Sequence, residues 1–172
     1  MKFAGNMMDN SDRSLAKDLV EVFEQVKETV RKTEGKSRAG LMLGLQELGS
    51  TMQGFIGGYY PVGSNIIVMN RTPLRRINET DPALLLPYSF HVLLHEYIHS
   101  LGILDEELTR RKTYEISRQS FGEKHVVTEL SKDMTKFFPS LVYPVYGWGP
   151  QEASPIELVR GFDKSATQPY IA

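Results

Sequence analysis

Residues 91–102 read HVLLHEYIHSLG, and this stretch decides how the rest of the 172-residue chain is interpreted. His91, His95 and His99 follow one another at intervals of four, which places them along one face of a helix. Apolar residues recur at intervals of three and four and predict a buried opposite face. That apolar set is Phe90, Leu93, Leu94, Tyr97, Ile98 and Leu101. A buried helix with a face of histidines indicates that this face lines a cleft.

His95, Glu96 and His99 form the pattern H-E-x-x-H. Imidazoles four residues apart on a helix can converge on one metal ion, and zinc binds such nitrogens at roughly 2.0–2.1 Å. Glu96 lies about 100° further round the helix, beside the ion's open position, where a general base is needed. The alternative is a chance spacing on an ordinary helix surface. Three of the chain's four histidines stand in this one helix, which favours the metal.

The pattern resembles the active-site helix of the zincin superfamily of metallopeptidases. This resemblance implies a Zn²⁺ ion held by His95 and His99, with Glu96 as the catalytic general base. The sequence continues as H-E-x-x-H-x-x-G-x-x-D through Gly102 to Asp105, which is similar to the metzincin branch and implies Asp105 as the third metal ligand. The specific likeness covers about fifteen residues.

The third ligand has alternatives. A gluzincin-like arrangement would take a glutamate from the next helix, and His125 is a further candidate; the glutamates available are Glu106, Glu107 and Glu115. We predict that next helix over about 105–120, antiparallel to the first and beginning near His99. Asp105 is also a good N-cap for it, so the choice between ligand and cap stays open.

The composition and length of the chain limit the kinds of metal site and partner that it can have. The chain has no cysteine, which excludes thiolate metal sites and disulfides, and its formal net charge of -1 gives no electrostatic footprint for nucleic acid. Length and an ordinary hydrophobic content predict one domain over residues 1–172. The chain shows neither a signal peptide nor an apolar run of membrane-spanning length, so we expect a cytoplasmic protein without a membrane partner. The oligomeric state is left open.

The rest of the chain has an α+β order. We predict a first helix from Ser11 or Asp12 to Gly35, and strands near 40–46, 53–60 and 64–69. A third helix is expected over about 123–138, and a short one from Ser154 to Gly161, where Ser154 and Glu157 form a capping box. Residues 139–172 are rich in proline and aromatics and are expected to dock as an irregular segment beside the cleft. This order is compatible with a compact zincin-like domain with a small mixed sheet.

Residues 64–70 are of interest as a strand just before the metal helix. We expect this strand at the sheet edge, where a peptide could pair with it; the alternative is an interior strand, which its apolar run Ile66–Met69 also allows. Arg71, Arg75 and Arg76 follow and are interpreted as a solvated basic turn.

The predicted reaction is hydrolysis of a peptide or protein substrate, in which zinc polarises the carbonyl and Glu96 takes a proton from the zinc-bound water. Candidates for oxyanion stabilisation are Tyr114, His125, Tyr143 and Tyr146. One alternative is a catalytically inactive zinc-site domain that binds a peptide strand along residues 64–70. Another is a metal-dependent endoribonuclease, because the spacing of the histidines also resembles a small family of such enzymes. Glu96 and the near-neutral charge both count against this alternative.

Overall fold

A computed structural model describes residues 10–51, 53–140, 142–143, 149–150 and 154–163. These residues form five α-helices and a four-stranded mixed sheet, which confirms the α+β class. Short 3-10 turns occupy Pro82–Leu84 and Met134–Lys136. The helices and strands are, in chain order, α1 (Asn10–Glu34), β1 (Met42–Gln46), β2 (Gly58–Tyr59), β3 (Ile66–Asn70), α2 (Arg71–Thr80), α3 (Leu85–Ser100), α4 (Glu106–Phe121), α5 (Val126–Lys132) and β4 (Ile156–Val159).

The strand order in the sheet is β2-β3-β1-β4, so β3 is an interior strand. It runs parallel to β1 on one side, and on the other side Val68 and Met69 pair antiparallel with β2. The prediction of an edge strand at residues 64–70 is therefore wrong. The buried run Ile67–Asn70 suits a strand enclosed on both faces. Because β2 already occupies this side of β3, peptide docking along residues 64–70 has no support in the structure.

The predicted metal helix is α3, which lies at the centre of the fold. It begins at Leu85, with Pro87 in its first turn, and thirteen of its sixteen residues are buried because α1, α4, α5 and the sheet all pack around it. Tyr97 meets Phe23 of α1 edge to face, with ring centroids 5.6 Å apart. The helix ends at Ser100, and Gly102 takes a φ of 100° that an L side chain rarely adopts.

Helix α2 was not predicted, since Arg71, Arg75 and Arg76 were interpreted as a basic turn. The buried Asn70 caps it by accepting a hydrogen bond from the Thr72 N–H at 3.1 Å. The signals for this helix were present in the sequence as an Asn cap, Pro73 in the first turn, and Leu74 and Ile77 at helical spacing.

The predicted short helix from Ser154 to Gly161 is wrong, because residues 156–159 form β4. This strand pairs antiparallel with β1, and the sheet offers Val159 burial that an isolated one-turn helix would not. The chain is anchored just beyond it. Phe162 stacks on Phe23 with centroids 4.0 Å apart, and the buried Asp163 accepts a hydrogen bond from Lys27 at 2.6 Å.

Other predicted elements are shorter than expected. Strand β2 covers two residues of the predicted 53–60. The predicted helix 123–138 breaks into α5 and a 3-10 turn at Asp133, whose side chain caps the turn. Of the C-terminal segment 139–172, several parts lie outside the described residues, Tyr146 among them.

Within the described part of the chain, none of the helices has the length and apolar character needed to cross a bilayer.

Candidate metal centre

His95 and His99 stand one turn apart on α3, and the last turn of this helix is held in place from outside. The Arg38 guanidinium donates to the Ser100 carbonyl at 2.6 Å, and the Arg38 backbone N–H donates to the Tyr97 hydroxyl at 2.8 Å. A cation at the C-terminal carbonyls stabilises the end of a helix. Arg38 thereby fixes the turn that carries His99.

The turn that follows α3 brings a carboxylate to these histidines. Gly102 ends the helix, and Asp105 caps α4 by accepting a hydrogen bond from the Leu108 N–H at 2.7 Å. The next residue, Glu106, is the first of α4 and points back to α3. Its Oε1 lies 2.7 Å from Nε2 of His95, and its Oε2 lies 3.0 Å from Nε2 of His99.

The structure thus gives Asp105 the capping role and brings Glu106 to the histidines. Ligand atoms of His95, His99 and Glu106 lie within 4.8 Å of one another, and this is the group among the described residues that is arranged to hold a metal ion. Asp105 is not part of it. A side chain that caps its own helix points along the backbone, so it cannot also reach across to α3.

Some buried atoms of the group formed by His95, His99 and Glu106 lack hydrogen bonds within the described part of the chain. Although only 2.7 Å apart, His95 Nε2 and Glu106 Oε1 do not meet with hydrogen-bond geometry, and neither has another partner among the described residues. Both atoms are buried. Buried polar atoms are nearly always paired, so atoms that converge on a point without bonding each other suit a shared cation.

A second layer of contacts orients His99. Its Nδ1 lies 2.8 Å from the Ile103 carbonyl, which can only accept, so Nδ1 carries the hydrogen and Nε2 faces the centre. The buried Thr109 hydroxyl donates to the Asp105 carbonyl at 2.8 Å and lies 3.2 Å from that of Ile103. Such outer contacts are typical of metal-binding histidines.

The charges at the centre follow from burial and proximity. Burial opposes ionisation of Glu106, but the nearby His95 and His99 outweigh it and lower the pKa of this carboxyl to about 2. Burial likewise opposes the charge on His99, while Glu106 and Glu96 raise its pKa above the usual 6.5. Without a metal, the centre therefore favours a carboxylate paired with a protonated imidazole.

Glu96 is buried, with 4% of its surface exposed, next to the two histidines on α3. Burial raises the pKa of its carboxyl, and the nearby His95 and His99 partly offset this. A carboxyl with a raised pKa accepts a proton more readily near neutral pH than an ordinary one.

Tyr143 covers one side of the centre. Its ring stacks on the imidazole of His95 with centroids 5.0 Å apart, and its hydroxyl lies 3.1 Å from Nε2 of His91. The Arg110 guanidinium lies 5.2 Å from the centroid of the Tyr143 ring. Ser140 and Val142 hold this segment by hydrogen bonds of 2.7 Å to the Phe55 backbone.

The other candidates from the sequence lie elsewhere. Tyr114 donates to Glu123 in the connection after α4, at 2.8 Å, and His125 caps α5 while stacking on Phe121. Glu107 and Glu115 are exposed, and Glu107 pairs with Arg111. Of the four oxyanion candidates, Tyr143 is the one in the described chain that contacts a residue of the centre.

Three residues that support the centre were not predicted from the sequence: Thr109, Arg38 and Arg110. A signal for Thr109 was present, because small hydroxyl residues recur every four positions at 109, 113 and 117, and all three are buried. Arg38 and Arg110 had no local signal, since their partners are brought to them by the tertiary fold.

Comparison of the chain with protein-family models, with curated proteins and with solved structures finds no match in any of the three.

Proposed function

We propose that this protein is a zinc-dependent metallopeptidase. The observation that carries the proposal is the convergence of His95, His99 and Glu106, whose ligand atoms lie within 4.8 Å of one another beside the buried Glu96. The resemblance of H-E-x-x-H to the zincins supports the same reading. With Glu106 as third ligand, the arrangement is the gluzincin-like alternative, in which the carboxylate comes from the following helix.

The donor set fits zinc. Two imidazole nitrogens and one carboxylate leave a fourth position open, which is the pattern of catalytic rather than structural zinc sites. The chain contains no thiolate to close the site. Bound there, zinc would supply Lewis acidity that polarises the scissile carbonyl and acidifies the attacking water.

Glu96 provides the proton transfer. Its carboxylate accepts a proton from the attacking water and later delivers it to the leaving nitrogen, so one residue serves as base and then as acid. The raised pKa of its carboxyl suits both steps, because a base that is too weak would take no proton and one too strong would not release it.

Tyr143 provides the hydrogen bond to the oxygen on which negative charge develops. Burial raises the pKa of its hydroxyl, so it stays protonated and able to donate at neutral pH. A donor aimed at a developing oxyanion contributes more in a buried site than in water. Peptides or proteins are the proposed substrates, and a cytoplasmic location stays a prediction.

The experiment is Glu96→Gln, measured against Glu79→Gln as a matched control on the exposed side of α2. Wild type and both variants are purified without chelator, their zinc content is measured, and turnover is followed on a library of internally quenched peptides. We expect Glu96→Gln to keep its zinc and lose hydrolysis by about 10²-fold or more, while Glu79→Gln is unchanged.

Two results would count against the proposal. Equal turnover in Glu96→Gln and wild type would remove Glu96 from the chemistry. Zinc uptake without hydrolysis of any peptide by the wild type would favour the catalytically inactive zinc-site domain instead.

A further inference from the structure

The hydroxyl of Tyr143 is the one part of this side chain whose orientation is not fixed by ring packing. The ring contacts the imidazole of His95 and the guanidinium of Arg110. The hydroxyl oxygen meets His91 Nε2 at 3.1 Å. Which of these two groups donates decides where the phenolic hydrogen points.

The surroundings of His91 decide this. His91 is 2% exposed, and its Nδ1 is buried with no hydrogen-bond partner among the residues that the structure describes. A neutral imidazole carries one N–H and one acceptor nitrogen. A buried N–H without a partner is rarer than an under-satisfied acceptor. The hydrogen is therefore placed on Nε2, which donates to the Tyr143 oxygen and leaves the phenolic O–H free to donate elsewhere.

The free O–H belongs to a residue that covers the metal centre. Tyr143 stacks on His95, and Nε2 of that imidazole lies 2.7 Å from Glu106 Oε1. A hydrogen turned away from His91 is thus available to a substrate oxygen at the centre.

We infer that His91 is a positioning residue, whose Nε2–H donates to the Tyr143 oxygen and so directs the phenolic O–H toward the oxyanion that develops on the scissile carbonyl. This inference rests on the proposed peptidase function and gives a role to a histidine that is not a metal ligand. His91 acts only through Tyr143, so removal of either partner removes the same interaction.

The test combines five variants with a spectrum that needs no activity. His91→Leu removes the donor, His91→Gln keeps an N–H that can reach the same oxygen, and Tyr143→Phe keeps the stacked ring without the hydroxyl. The double variant His91→Leu/Tyr143→Phe measures coupling, and Tyr114→Phe is the matched tyrosine control. Zinc content, kcat and KM are measured for each, and the imidazole ¹⁵N resonances of the wild type report the His91 tautomer.

We expect Tyr143→Phe to lower kcat about 10²-fold and His91→Leu about tenfold, with KM changed less than about twofold. His91→Gln should recover most of the loss, the double variant should be no slower than Tyr143→Phe, and zinc content should be unchanged throughout. The spectrum should show His91 protonated at Nε2, with its resonance moved in Tyr143→Phe.

Additive losses in the double variant, full activity of His91→Leu, or no recovery in His91→Gln would overturn the inference. So would an Nδ1-protonated His91, whether or not the wild type is active. A wild type that binds zinc but hydrolyses no peptide would contradict the proposed function instead, and the imidazole spectrum distinguishes that failure from a failure of the His91 contact.

Discussion

Glu106 Oε1 lies 2.7 Å from Nε2 of His95, although the two residues belong to different helices. The same carboxylate reaches His99 with its other oxygen at 3.0 Å. A single residue at the start of α4 therefore joins two imidazoles that α3 presents one turn apart. This relationship turns a pair of histidines into a group of three side chains that could hold a metal ion.

The first prediction separates Glu106 from its neighbours. We expect Glu106→Gln to weaken zinc affinity by more than about 100-fold, since even outer contacts of metal ligands contribute 10–100-fold. Asp105→Asn keeps a capping side chain, and Glu107→Gln alters only an exposed carboxylate, so neither should change affinity more than about threefold. Competition with a chromophoric chelator measures all three. A larger loss of zinc affinity in Asp105→Asn than in Glu106→Gln would instead support Asp105 as the third ligand, as the metzincin-like pattern implies.

The second prediction concerns the contacts behind His99. Thr109→Val removes the hydroxyl near His99 Nδ1 and the Ile103 carbonyl, and we expect zinc affinity to fall about tenfold. Thr113→Val is the matched control, because its hydroxyl bonds only the carbonyl one turn back in α4. Isothermal titration with zinc compares them. Equal affinities would mean that the Ile103 carbonyl orients His99 without Thr109.

The third prediction concerns pH. The pKa of His99 is raised above 6.5, so the metal-free centre binds a proton that zinc must displace. As the pH is lowered, zinc affinity should therefore begin to fall while the pH is still above 6.5, and it should continue to fall below that value. Titrations between about pH 8 and about pH 5.5 check this, because metal affinity of imidazole sites follows ligand deprotonation. NMR of metal-free Glu106→Gln should show the His99 pKa lower than in wild type, and an unchanged value would contradict the pairing.

The fourth prediction concerns stability away from the centre. Lys27 and Asp163 form a salt bridge of 2.6 Å with 13% and 0% of their side chains exposed. Lys27→Met removes the cation from a buried carboxylate and should destabilise the fold by about 3 kcal/mol. Lys32→Met, at an exposed pair with Glu28, should leave the unfolding midpoint almost unchanged. Urea unfolding measures both, and similar midpoints for the two variants would exclude a role for the buried pair.

The sequence predicted those parts of the fold whose pattern is local. His95, Glu96 and His99 lie within five residues of one helix, and the apolar stripe and Gly102 define that helix almost completely. The α+β class followed from the order of such segments. The carboxylate that joins His95 and His99 could not be chosen in this way, because Asp105 and Glu106 are adjacent, and the path of the turn after Gly102 decides which side chain faces α3.

The errors share a physical cause. Ser154 and Glu157 give a good helix-start signal, but pairing of residues 156–159 with β1 outweighed it. Strand β3 is interior because Gly58 and Tyr59 pair with its outer side. These outcomes depend on tertiary contacts that local propensity does not contain. Tyr143 and His91 were each singled out from the sequence. Their contact was not predicted, because it joins residues 52 positions apart.

The most direct test of the account is the metal content of the chain purified without added metal or chelator, measured by elemental mass spectrometry for wild type and Glu106→Gln. We predict about one zinc per wild-type chain, as expected for a single three-ligand site, and much less in the variant. A wild type that carries no metal and takes up none on titration would contradict the central claim, because His95, His99 and Glu106 would then be a structural ion pair rather than a metal centre.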